Sequence, residues 1–136
     1  MTHDDVFSGV CECLAVVLDT RPDAVREDQR LVADLDADSL DLLDLTFHLE
    51  RRFGVSISPR DIEHRAREKL NGRPFTVDGK FTPEALAELK AAMPEVPAEE
   101  FPADMPADAL PRRLRVASMV NLVSRLLQEK EAKSGQ

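Results

Sequence analysis

Asp34-Leu35-Asp36-Ala37-Asp38-Ser39-Leu40-Asp41-Leu42-Leu43-Asp44-Leu45 is the stretch on which the reading of this chain turns. Asp38 is placed to cap a helix that opens at Ser39, because its carboxylate can accept the unpaired N–H groups of a first turn. The helix should run to Phe53, where Gly54 ends it. On a wheel of about 100° per residue with Leu40 at zero, Leu43 falls near 300° and Phe47 near 340°. Leu42, Leu45, Leu49 and Phe53 fall between about 140° and 220° on the same wheel. The helix therefore carries two opposed apolar stripes. One can face a core. The other, bordered by Asp44 and Arg51 with Asp41 further round, has the makeup of a docking surface. Ser39 stands at the head of the helix beside that strip, its hydroxyl open to solvent. The usual role of a serine at a helix start is to cap it. A phosphodiester attached there would lie by the positive end of the helix.

Outward from this helix, residues 4–18 show helix spacing through Val6, Val10, Leu14 and Val17, and Thr20-Arg21-Pro22 stops them. A polar loop anchored by Val25, Leu31 and Leu35 leads to Asp38. Pro59 should open a third helix over 60–70, closed by Asn71-Gly72. Alternation around Asp78-Gly79 predicts a short hairpin over 75–82. Thr82-Pro83-Glu84 is a helix start for residues 83–93. Pro94 to Pro111 holds five of the nine prolines and reads as an extended surface segment. A last helix is expected from about Leu114 to Glu129, within 112–130, with Val116, Val120, Val123 and Leu127 on one face. Residues 131–136 read as a disordered tail.

Composition narrows the function classes. The chain has 136 residues, 43% of them apolar, which suits one compact domain. Its net charge is −8, and all of the excess lies in residues 1–61, which hold 14 acids and 6 bases; the remainder holds 12 of each. Such an acidic half repels nucleic acid and anionic lipid and favours basic protein partners. No apolar run is long enough to span a bilayer, and the opening Met-Thr-His-Asp-Asp has no leader character, so a cytoplasmic protein without membrane insertion is expected. Cys11 and Cys13 would lie about 200° apart on a helix and can neither bridge each other nor share a metal.

The segment Leu35-Asp36-Ala37-Asp38-Ser39-Leu40-Asp41 resembles the prosthetic-group attachment motif of the acyl carrier protein family. The distance from Ser39 to Phe53-Gly54-Val55-Ser56-Ile57, the anchors Val25, Leu31 and Leu35, and the final stretch Val116 to Val123 are similar to that family as well. The resemblance covers residues 1–61 and about 114–127. It implies an all-α, acyl-carrier-like four-helix bundle, a single carrier domain over 1–136, with helices I–III in 1–70 and an insert at 71–111. It also implies a protein that catalyses nothing. A separate phosphopantetheinyl transferase would attach 4′-phosphopantetheine from coenzyme A to Ser39, and the arm would hold acyl groups as thioesters. Asp38, Leu40, Asp41, Leu43, Asp44 and Phe47 match positions that meet partner enzymes: an acyl ligase, synthase or acyltransferase with a basic surface, of fatty acid, lipid or polyketide-type biosynthesis. Leu45, Leu49 and Phe53 would help line an acyl pocket, and they serve equally as plain core. A monomer is expected.

The chain also departs from the pattern. Asp36 stands where the family commonly has glycine, and Arg51 and Arg52 stand where acids are usual. The 50 residues of 62–111 far exceed the family's short connection, and they would either enlarge the acyl pocket or add a partner surface. Three rivals stay open. A calcium loop would use Asp34, Asp36 and Asp38, but Ser39 stands where glycine is needed and Leu45 where a bidentate glutamate is needed, so no metal is expected. A peptidyl or aminoacyl carrier would use the same arm. An adaptor could keep the fold without the arm.

Overall fold

The computed structural model describes residues 1–58 and 60–134. Its elements, in chain order, are α1 (His3–Val17), a 3₁₀ turn (Pro22–Ala24), α2 (Ser39–Phe53), α3 (Asp61–Glu68), β1 (Thr76–Val77), β2 (Lys80–Phe81), α4 (Pro83–Ala92), two 3₁₀ segments (Ala98–Glu100 and Ala107–Arg113) and α5 (Val116–Ser134). Among the described residues the architecture is the all-α one expected, with a single hairpin of two-residue strands. Among the described residues no helix is long and apolar enough to cross a membrane.

Local chemistry sets the boundaries. Thr2 and Asp5 form a reciprocal capping box at the start of α1, each side chain bonding to the other's backbone N–H. Asp38 and Asp41 do the same for α2. Gly54 takes the left-handed conformation, φ +67°, that ends α2. Asn71 and Gly72 turn the chain after α3 with positive φ, and Asp78-Gly79 does so in the hairpin. Pro59, read as the opening of the third helix, lies outside the described residues, as do residues 135 and 136 of the expected tail.

Two apolar clusters form among the described residues. The first joins α1, α2, the 22–37 loop and α5, around Val10, Leu14, Leu31, Leu45, Leu49 and Val120. Gly9 lets α1 approach α2 closely, for a Cβ there would lie 2.5 Å from Phe53 Cζ. Cys11 and Cys13 are free thiols buried in this cluster, and burial raises the pKa of both. The second cluster gathers Ala66, Leu70, Phe75, Phe81, Leu89, Met93, Phe101 and Met105 from α3, the turn after it and the inserted segment. Phe75 and Phe81 meet edge to face across the hairpin, with centroids 5.4 Å apart. The third helix thus gives its buried face, Ala66 with Ile62 beside it, to the insert's core. Leu114 packs against both clusters.

The proline-rich segment corrects the sequence reading. Residues 94–111 are not an extended surface strand. Val96, Phe101, Met105 and Leu110 are buried, and the backbone between them winds into two 3₁₀ pieces. Proline fixes φ at a value that short 3₁₀ turns accept, so the prolines shape this path rather than keep it open. The segment is also tied down. Phe81 N donates to Met105 O (3.0 Å), Ala107 N to Gly79 O (2.9 Å) and Arg113 Nε to Glu100 O (2.6 Å). Arg115 pairs with Glu100 and donates to Asp28 O, so that arginine holds the insert to the first loop.

Two boundaries also differ. The last helix starts at Val116, because residues 107–113 are already committed to 3₁₀ geometry around Pro111, and Ser118 Oγ accepts the Arg115 N–H at its head. It continues to Ser134, through most of the expected tail, with Lys130 donating to Gly54 O (2.8 Å). Val116 N donates to Gln29 O and Leu31 N to Leu114 O, which locks the head of α5 to the first loop.

Candidate functional site

The tip of α2 is built by a tight loop. Asp36 sits at φ +59°, the left-handed geometry that aspartate tolerates better than most residues. This allows Ala37 N to donate back to Leu31 O at 2.9 Å, burying Ala37 and turning the next residues outward. Asp34 braces the loop by accepting from Arg30 N (2.8 Å) and from the Arg30 guanidinium, and those hydrogen bonds hold its carboxyl below the usual range. Of the three aspartates of the possible calcium loop, Asp34 and Asp38 accept from backbone N–H groups of their own turns. Among the described residues no group of three or more His, Cys, Asp or Glu is placed to hold a metal ion.

Ser39 is the first residue of α2, not its cap. Asp38 Oδ1 accepts from Asp41 N at 2.8 Å, and Asp38 N donates to Asp41 Oδ2 at 3.0 Å. The serine side chain is therefore spared from capping. It is exposed, and it stands where the first N–H groups of the helix lack intrahelical acceptors.

The two stripes of α2 separate as the wheel predicts. Leu45, Leu49 and Phe53 are buried, whereas Leu40 is 74% and Phe47 53% exposed, with Leu43 on the same open side. Asp38 and Asp44 are exposed next to this strip and Asp41 is half-buried. Arg52 does not face the strip; it pairs with Glu12 of α1 at 2.5 Å.

A cavity of about 510 Å³ opens beside Ser39. Its walls come from Leu42, Leu43, Leu45 and Thr46 of α2, Ile57, Ser58 and Arg60 of the following loop, Asp61, Ile62 and Glu63 of α3, Ala107, Asp108, Leu110 and Pro111 of the insert, and Leu114, Met119 and Leu122 at the head of α5. Of the three pocket residues named from the sequence, Leu45 lines it. Leu49 and Phe53 do not, because the bundle core takes them up against α1. The insert residues on the wall were missed. Their only sequence signal was apolar side chains recurring among the prolines.

A hydroxyl left free at a helix tip, opening onto a space with largely hydrocarbon walls, has the geometry that a carrier domain requires for a covalent passenger. Comparison with known proteins agrees. Residues 8–66 match the family model described as a phosphopantetheine attachment site. The chain is 43% identical to an acyl carrier protein of Petrotoga mobilis over 63 residues, which are 46% of this chain and 74% of that protein. It is 39% identical over 59 residues to one of Campylobacter hominis, covering 43% and 75%, and 37% identical over 62 residues to one of Thermotoga maritima, covering 46% and 76%. No solved structure matches. The chain belongs to the acyl carrier protein family, whose members carry covalently attached 4′-phosphopantetheine and are carriers rather than enzymes.

Proposed function

We propose that Ser39 is the residue that takes the arm, and that the protein carries acyl intermediates for enzymes of fatty acid, lipid or polyketide-type biosynthesis. The observation that carries this reading is that Asp38 and Asp41 cap α2 between themselves and leave the Ser39 hydroxyl open. The arm, when bound, supplies a thiol that holds the acyl group as a thioester. The residues of this chain do the rest. The free N–H groups at the start of α2 favour a phosphodiester on Ser39. Leu40, Leu43 and Phe47 offer apolar contact to a partner, and Asp38, Asp41 and Asp44 steer a basic surface onto it. The cavity beside Ser39, with Leu45 in its wall, shelters the acyl chain. Partners are thus a phosphopantetheinyl transferase and acyl ligases, synthases or acyltransferases with basic faces.

The test is intact mass after incubation with coenzyme A and a broad-specificity phosphopantetheinyl transferase. One added phosphopantetheine on the wild type, and none on Ser39→Ala, is the expected result. An unmodified wild type, or a modified Ser39→Ala, overturns the assignment.

A further inference from the structure

The cavity beside Ser39 lies on the seam between the two apolar clusters. Leu45, Ile57, Met119 and Leu122 bring the first cluster to its wall, and Leu110 brings the second. We infer that the inserted segment, through Ala107 and Leu110, sets the size of acyl chain that this carrier shelters. The inference rests on Ser39 bearing the arm, and it concerns what the arm's cargo meets.

Three observations carry it. The first is position: the 3₁₀ segment Ala107–Arg113 supplies wall residues to the same cavity that Ser39 lines, so cargo entering from Ser39 meets the insert. The second is rigidity. The segment is pinned at Ala107 to Gly79 and at Arg113 to Glu100, and Leu110 is buried, so this wall is not an open flap. A fixed, close-packed wall penalises each group too many, and a gap too large loses contacts. The third is chemistry. The lining is mostly hydrocarbon, with the hydroxyls of Ser39, Thr46 and Ser58 and the charged side chains of Arg60, Asp61, Glu63 and Asp108 also on it. Each methylene of a chain that leaves water for that surface gains by burial. The cavity therefore suits a chain whose bulk is hydrocarbon.

The experiment uses the full chain, converted to its phosphopantetheinyl form, confirmed by intact mass and loaded with saturated acyl groups of increasing length. The melting temperature of each acyl form is compared with that of the unacylated arm-bearing protein. In the wild type the gain should rise with length and then level off where the cavity is full. Leu110→Ala should move the plateau to longer chains by about three carbons, the number of heavy atoms the substitution removes. Ala107→Phe should move it to shorter chains. Should Ala107→Phe fail to fold, as judged by circular dichroism before loading, Leu110→Ala decides alone. A plateau that Leu110→Ala leaves in place, or acylation that raises the melting temperature at no length, overturns the role of the insert while leaving the carrier assignment standing. Failure to load the arm on the wild type strikes the carrier assignment first and is seen in the mass before any melt is run.

Discussion

Replacing Asp38 and Ser39 one at a time separates two jobs that a helix tip can perform. Asp38→Ala removes the oxygen that accepts from Asp41 N at 2.8 Å and a negative charge at the positive end of α2. Loss of such a cap costs about 1 kcal/mol, with up to ~1 kcal/mol more from the helix dipole. For a chain of this length each kcal/mol is worth roughly 3–5 °C in Tm. Asp38→Ala should therefore melt about 3–10 °C below the wild type. Ser39→Ala removes an exposed hydroxyl that caps nothing, and alanine is the better helix former, so its stability should stay within about 0.5 kcal/mol of the wild type. Thermal melts followed by circular dichroism on the unmodified proteins read both. If Ser39→Ala lost as much stability as Asp38→Ala, the serine would be holding the helix, and the case for a hydroxyl kept free for modification would fail.

The two stripes of α2 should respond oppositely to truncation. Leu49→Ala in the core should cost about 2–5 kcal/mol, whereas Leu40→Ala should change stability by less than about 0.5 kcal/mol and show its effect in slower acyl transfer with a partner enzyme; equal melting losses would contradict the assignment of the faces. Phe101→Ala should remove about 3–5 kcal/mol from the second cluster, and amide exchange should speed up in residues 75–110 well before α1 responds; uniform loss of protection would show that the clusters open only together. Glu129 accepts both outer nitrogens of Arg65 at 2.8 Å, and those hydrogen bonds lower its pKa. A depressed folded-state pKa means a stabilising contribution that is full above the ordinary glutamate value and fades as pH falls through the lowered one. The melting difference between wild type and Glu129→Gln should accordingly be present near neutrality and shrink below about pH 4; a difference that grows on acidification would reverse the sign of this linkage.

Much of the site was legible because short-range chemistry fixes it. Asp38 as cap, Asp36 in a left-handed turn, Gly54 as helix end and the opposed faces of α2 all follow from residues within a few positions of one another. The insert was legible only as far as the hairpin and α4, where turn signal and helix start are local. Beyond Pro94, the buried side chains Val96, Phe101, Met105 and Leu110 follow neither a period of two nor one of 3.6, so no pattern marked them as core. The partition of α3 into the second cluster, and of Leu49 and Phe53 out of the cavity, depends on which surface each helix meets, and that is decided by contacts far apart in the chain.

The burial of Cys11 and Cys13 bears on the keeping of the cargo. A thioester exchanges readily with any thiolate that can reach it, so an accessible cysteine would be a route by which the passenger strays onto its own vehicle. Packed among hydrocarbon neighbours and held in the protonated form, these two sulfurs are poor thieves. In the folded, arm-bearing protein a maleimide dye should find one sulfur, at the end of the pantetheine, and the native chain can be tagged there without first editing its cysteines.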